Sequence, residues 1–225
     1  GGGVAGWTGG GGLSSAVVVV IGVEPSTPCT NREAAGSDQR TTAFLQPAQE
    51  LLQHCGLWDR LADHAAALQI MRIVDAGGET PEPRVIKDFN AADLSEKPFG
   101  WNLPNWLLRR EILARLSELP NVDFRPGVAT TSLFTRTAQA RVGLSNGDRV
   151  TAKLVIAADG RTSPMREAAG ISVSTTRYGQ KALAFAVTHS APHNNVSTEV
   201  HRTGGPFTLV PLPDHQGKPS SAVVW

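Results

Sequence analysis

The chain has 225 residues, 40% of them hydrophobic and 18% charged. That composition belongs to a folding globular protein and excludes a disordered one, and the length allows one large α/β domain or a cofactor domain with a smaller sheet. With 21 basic and 20 acidic side chains the net charge is +1, which offers no overall pull toward phosphate backbones and argues against nucleic acid as a partner.

The first element in chain order is Ala16-Val-Val-Val-Val-Ile21, a continuous β-branched run that predicts a strand buried on both faces of a parallel sheet and ending at Glu24-Pro25. Residues 26–46 read as a polar loop. Pro47 then opens a helical pattern in which Leu51, Leu52 and Cys55 are expected to share a face and Gly56 to supply the stop. A second short helix is expected over 58–67. Gln69 to Val74 and Arg84 to Phe89 predict two strands of a hairpin outside the parallel sheet, separated by a Gly- and Pro-rich turn. Leu108, Ile112 and Leu116 recur at i, i+4, i+8 and predict a helix over 105–119 that ends at Pro120.

Segments 131–135, 139–144 and 149–157 predict a β-meander, the last two strands joined through Asn146-Gly147. Alternation is lost at Leu154-Val-Ile-Ala-Ala158, so the end of that strand is expected to enter a buried parallel sheet, with Asp159-Gly160 as the turn at its carboxyl end. Ser163 before Pro164 is a candidate helix cap. Segments 183–187, 196–201, 207–212 and 222–225 predict an antiparallel sheet.

Two separated thiols, Cys29 and Cys55, form no disulfide framework and suit a reducing cytosol. No apolar run approaches the roughly 18 residues of a membrane span, and no export signal is recognised, so a soluble, cytoplasmic chain is expected.

Gly1-Gly-Gly-Val-Ala-Gly6 satisfies GxGxxG, whose glycines let backbone N–H groups approach a pyrophosphate. Alone the motif is weak, and a flexible glycine-rich end reads equally well. The order of glycines, apolar strand and then Glu24 raises the dinucleotide reading, because a carboxylate about 20 residues on meets ribose hydroxyls. The run Gly9 to Gly12 opposes it, since each glycine inside a helix costs ~1 kcal/mol relative to alanine. Asp159-Gly160 is more specific: an acidic residue at the carboxyl end of a parallel strand stands where open α/β sheets bind ligands. The plainer alternative there is an ordinary Asp-Gly turn. His189 and His193 lack a third ligand at a defined spacing, and no metal site is assigned. No GxSxG surrounds Ser163, which speaks against a hydrolase. Trp58, Trp101 and Trp106 read as core or pocket walls, and Arg109-Arg110 as a solvated helix face.

Val155-Ile-Ala-Ala-Asp-Gly-Arg-Thr-Ser-Pro-Met-Arg166 resembles the second flavin-site motif of the single-component FAD aromatic hydroxylases. Asp38-Gln-Arg-Thr-Thr-Ala-Phe44, Leu57-Trp-Asp-Arg-Leu61, Met71-Arg-Ile-Val-Asp75, Asn102-Leu-Pro-Asn105 and Gly205-Pro-Phe-Thr-Leu-Val-Pro-Leu-Pro213 resemble the members that hydroxylate polyprenylated phenols in ubiquinone biosynthesis. The resemblance implies an α/β fold: a Rossmann-like FAD-binding domain over 1–68 and 104–172, interrupted by an antiparallel substrate domain over 69–103 and 173–225. It implies FAD as cofactor, NAD(P)H as electron donor, and O2 and a polyprenylated phenol as substrates, with no catalytic side chain. Peripheral association with the inner membrane or a biosynthetic complex would follow from such a substrate. Gly1, Gly3 and Gly6 would face the FAD pyrophosphate, Glu24 the adenosine ribose and Arg40 the cofactor near its phosphates. Asn105 stands where relatives often have Arg or Gln. Val128 would offer backbone to the adenine, and Asp159 with Gly160 would serve both FAD and the nicotinamide donor. A strand before Gly1 and a third flavin motif of Gly-Asp-Ala-Ala-His type have no counterpart here. These residues are therefore expected to be an incomplete portion that holds FAD poorly by itself. A hydroxylase of another aromatic substrate and a non-catalytic nucleotide-binding remnant remain the alternatives.

Overall fold

A computed structural model of the chain describes residues 18–78, 80, 82–202 and 204–225. The fold is mixed α/β, rich in strands, and divides into two compact units. The first comprises residues up to Cys29 and Arg109–Tyr178, the second Thr30–Leu108 and Gly179–Trp225.

In the first unit, β1 (Val20–Glu24) runs parallel to β7 (Val122–Pro126), pairing Val20 with Val122 and Glu24 with Pro126. The β-branched residues of β1 favour the extended backbone, and Pro25 ends the strand because it has no N–H to donate. The strand is not buried on both faces: Val19 is 76% exposed and Ile21 is also exposed. The meander is present as β8 (Thr130–Thr135), β9 (Ala140–Leu144) and β10 (Arg149–Ala152), with β9 in the middle. Gly147, at φ +91°, takes the left-handed position its turn requires.

The expected buried strand over Leu154–Ala158 is absent, and Leu154 and Ile156 are 69% and 61% exposed. A strand buried on both faces needs a neighbour at each edge. Among the described residues nothing pairs with this run, so its β-branched composition has no ladder to join.

In the second unit, α1 (Gln46–His54) starts with Pro47 in its first turn and stops at Gly56, φ +68°. Leu52 and Cys55 are buried, but Leu51 points to solvent, contrary to the expected shared face. The helix α2 (Trp58–Leu61) is shorter than expected, giving way to a 3-10 turn over Ala62–His64 and then to β3 (Ala66–Leu68). That strand flanks β6 (Gly100–Pro104), and β2 (Thr41–Leu45) flanks β6 on the other side. Neither β2, inside the expected polar loop, nor β6 was anticipated. Trp58 and Trp101 meet edge to face with ring centroids 5.1 Å apart.

The hairpin β4 (Ile70–Asp75) and β5 (Val85–Asn90) is present. It joins the sheet of β11 (Ala184–Thr188), β12 (Val196–Arg202), β13 (Gly205–His215) and β14 (Lys218–Val224) through a parallel β4–β12 ladder, giving six strands in the order β11-β14-β13-β12-β4-β5. Asn102 of β6, 1% exposed, donates its Nδ2 to the Pro211 carbonyl of β13 at 2.9 Å and so pins the two sheets of this unit together.

The unit boundary at Leu108/Arg109 falls within α3 (Asn105–Ser117). Leu108, Ile112 and Leu116 are all buried, as the 3.6-residue period requires. The short α4 (Pro164–Ala168) lies in the first unit. Among the described residues no helix is long and apolar enough to cross a membrane.

Candidate functional site

Glu24 ends β1 at its carboxyl edge and is 2% exposed, accepting from the Ser26 hydroxyl at 3.2 Å. Its carbonyl accepts from the Val128 N–H at 3.1 Å, just past the left-handed Gly127 that closes β7. The parallel β1–β7 pair therefore brings Glu24 and Val128 together at one end of the ladder, where α/β sheets bind ligands. A carboxylate kept from water with a hydroxyl partner is suited to a diol. Gly1, Gly3 and Gly6, and the run Gly9 to Gly12, lie outside the described residues.

No strand leads into Asp159, and the turn falls at Arg161-Thr162, two residues beyond the expected Asp159-Gly160. Gly160 takes φ +93°. The Ser163 hydroxyl donates to one Asp159 oxygen, the Met165 N–H donates to the other at 3.0 Å, and Ser163 Oγ accepts from the Arg166 N–H at 3.0 Å. Asp159 and Ser163 thus cap α4 jointly, as the sequence led us to expect of Ser163. Gly160 also lines a cavity of about 590 Å3 with Leu133, Arg136, Leu154, Met165 and Arg166.

The second unit carries Arg40 and Asn105, brought together by an aspartate that had no assigned role. Asp38 accepts from Arg40 Nε at 2.8 Å and Nη2 at 2.9 Å, and from Asn105 Nδ2 at 3.2 Å. The Thr42 hydroxyl donates to Asn105 Oδ1 at 2.7 Å, and the Asn105 N–H donates to the Arg40 carbonyl at 2.9 Å. The Asp38-x-Arg40-x-Thr42 spacing is the signal that could have revealed it, because alternate residues of an extended segment share a face. Gln39 and Thr41, the intervening residues, line a cavity of about 140 Å3 with His64, Pro104, Trp106 and Leu212. That volume is close to the roughly 150 Å3 that admits a benzene ring.

The Arg40 guanidinium bonded to Asp38 holds its carboxyl down at about 2, against an opposing push from burial and with help from Asn105. Burial pushes Asp159 upward, but the Ser163 and Met165 donors outweigh it and the net shift is downward. Both groups titrate lower in the folded chain than in the unfolded one. Each therefore adds stability that is complete above about pH 4 and lost as pH falls through the folded value. Asp159→Ala is expected to cost about 1 kcal/mol at pH 7, the usual worth of a cap, and less by pH 3. Urea unfolding at the two pH values measures this, and an equal cost at both contradicts it.

His189 and His193 are engaged structurally. His189 Nδ1 lies 2.6 Å from the Ala191 carbonyl and Nε2 lies 2.9 Å from Ser221 Oγ; His193 Nε2 lies 3.0 Å from the Leu212 carbonyl, and its Nδ1 accepts from the Asn195 N–H at 3.1 Å. Among the described residues no three His, Cys, Asp or Glu side chains gather as a metal site. Arg110 pairs with Glu111 at 2.7 Å on the helix surface.

Comparison with known proteins finds a match of residues 1–220 to the FAD binding domain family. The ubiquinone hydroxylase UbiL of Rhodospirillum rubrum is 34% identical over 209 residues, 93% of this chain and 46% of its own length. The 3-demethoxyubiquinol 3-hydroxylase of Escherichia coli is 27% identical over 214 residues, 95% of this chain and 52% of its own. The chain spans about half the length of these curated relatives. Among solved structures, p-nitrophenol 4-monooxygenase PnpA of Pseudomonas putida superposes with a TM-score of 0.79 at 20% identity, covering 100% of this chain and 55% of that one.

Proposed function

Because the chain belongs to the FAD binding domain family, we propose that it is the cofactor-binding portion of an FAD- and NAD(P)H-dependent monooxygenase that hydroxylates a polyprenylated phenol in ubiquinone biosynthesis. The observation that carries the cofactor part is the buried Glu24 carboxylate at the end of a parallel strand, with Val128 closed onto its carbonyl. The names of the ubiquinone-pathway relatives support the substrate class.

The residues present fit the cofactor by their donor and acceptor chemistry. In the first unit Glu24 would accept the ribose hydroxyls, Val128 would offer backbone to the adenine, and Asp159 with Gly160 would serve the flavin and the nicotinamide donor. In the second, Arg40 would meet a phosphate beside Asn105. Gly1, Gly3 and Gly6 would face the pyrophosphate. When bound, the flavin supplies the redox chemistry, taking electrons from NAD(P)H and delivering an oxygen atom from O2. The protein's own part is to orient the ring and keep water out, and the cavity beside Trp106 has room for one ring. A polyprenyl tail would bring the enzyme to a membrane surface or a biosynthetic complex.

Full-length protein is expected to purify with a flavin absorbance spectrum and to oxidise NADPH faster when a polyprenylphenol is added. Oxidation indifferent to prenylated phenols but stimulated by another phenol would replace the substrate assignment. Arg40→Ala is expected to weaken FAD binding by roughly tenfold to a hundredfold, the worth of a charge-assisted contact, as read by flavin fluorescence titration.

A further inference from the structure

We propose that Asp38 is a positioning residue for anion recognition, holding the Arg40 guanidinium and the Asn105 amide in place for a cofactor phosphate; the proposal rests on the FAD reading above. The carboxylate is 8% exposed while the Arg40 side chain is 65% exposed, so the pair has its acceptor inside and its donor facing water. An arginine that exposed would ordinarily sample many rotamers and lose that freedom on meeting a ligand. Two bonds from Nε and Nη2 to one carboxylate remove the freedom beforehand. Of the five guanidinium N–H donors these bonds use two, and the remaining three are left for a phosphate.

The same carboxylate fixes Asn105. Its Nδ2 faces Asp38 and its Oδ1 accepts from Thr42, so neither end of the amide is at liberty to turn. An asparagine at position 38 keeps the volume but has one carbonyl oxygen where there were two carboxylate oxygens. In either orientation its amide nitrogen would oppose an Arg40 donor, and in one of them Asn105 Nδ2 as well, donor against donor. Charge points the other way: Asp38 is a fixed anion next to the place where an anion would bind, and removing it lowers the repulsion. Positioning and Coulomb repulsion therefore predict opposite signs for one substitution.

The experiment is flavin fluorescence titration of full-length wild-type, Asp38→Asn, Arg40→Ala and Asp38→Asn/Arg40→Ala proteins with FAD. Positioning predicts that Asp38→Asn weakens binding by roughly tenfold in the wild-type background, and that in the Arg40→Ala background, where only the Asn105 amide is left to hold, it costs clearly less, has no effect or strengthens binding. Tighter or unchanged binding by the single variant overturns the proposal. So does an equal loss in both backgrounds, which is the signature of a merely structural carboxylate. Wild-type protein that binds no FAD overturns the cofactor reading and this inference with it, an outcome distinct from a variant failure. If Asp38→Asn does not fold, the apoprotein decides: a slowly exchanging Arg40 Nε–H in its NMR spectrum is expected before any ligand is added, and a rotationally averaged side chain overturns the proposal.

Discussion

Leu52→Ala is expected to lower the free energy of unfolding by about 3 kcal/mol, whereas Leu51→Ala changes it by less than about 0.5 kcal/mol. The two leucines are adjacent in α1 but project about 100° apart around its axis. Leu52 is 1% exposed and Leu51 is 53% exposed. The helix ends with Gly56 in the left-handed region, so that the Leu57 N–H reaches the Leu52 carbonyl at 2.9 Å and the Gly56 N–H reaches the Gln53 carbonyl at 3.0 Å. Leu52 and Leu57 are both 1% exposed at this closure, where an apolar contact commonly accompanies such a stop, and Leu61 of α2 is buried as well. Deleting the Leu52 side chain leaves a hole that Leu57, held by its own backbone bond, is poorly placed to fill. Urea unfolding of the two variants checks the contrast, and equal losses would contradict the placement of α1.

That contrast also marks how far the sequence was legible. The 3.6-residue period of Leu108, Ile112 and Leu116 specifies α3 because a thirteen-residue helix shows its stripe through several turns. Over the nine residues of α1 the period is too short to separate Leu51 from Leu52. The β8–β9–β10 meander and the β4–β5 hairpin were readable because their turns are local, Asn146-Gly147 most plainly. The β2-β6-β3 sheet was not, because β6 pairs with segments far from it in sequence, and nothing in Thr41–Leu45 alone says which strand will supply the ladder. Leu154–Ala158 shows the converse failure. Its β-branched composition is real, but composition specifies a strand only where a neighbour completes the hydrogen bonds.

The candidate site divides in the same way. Glu24 stood out by its distance from the glycines, Asp159 by its place after an expected parallel strand, and Arg40, Asn105 and Val128 by resemblance to a family. Asp38 carries one signal, its alternation with Arg40 and Thr42, and over three positions in a polar stretch that is too short to single out a role. Only the folded loop shows that one carboxylate serves both Arg40 and Asn105. Asn102 was hidden likewise, since its acceptor, the Pro211 carbonyl, lies 109 residues further along the chain.

Gly100→Ala is expected to be the most damaging small substitution in the second unit, costing roughly 3 kcal/mol and weakening flavin binding as well. Gly100 is in the middle strand of the β2-β6-β3 sheet, paired with Leu45 on one side and Leu68 on the other. A Cβ there would fall inside the contact radius of the Phe44 carbonyl oxygen, 2.9 Å from the Phe44 carbonyl carbon and 3.0 Å from Leu45 Cα. These are backbone atoms of the paired strand, so no rotamer change relieves the clash and β2 must move away from β6. Thr42 lies in that strand and donates to Asn105, while Arg40 immediately before it accepts from the Asn105 N–H through its carbonyl. Displacing β2 therefore loosens the Asp38–Arg40–Asn105 network together with the sheet. Gly127→Ala is the control: at φ +79° an alanine is strained, but nothing lies within 4 Å of its Cβ, so the expected cost is only about 1 kcal/mol. Urea unfolding of both variants and FAD titration of the Gly100→Ala protein measure the difference. A Gly100→Ala protein as stable as Gly127→Ala would mean that β2 and β6 are not paired as described, and one that lost stability without losing flavin would separate the sheet from the network it supports.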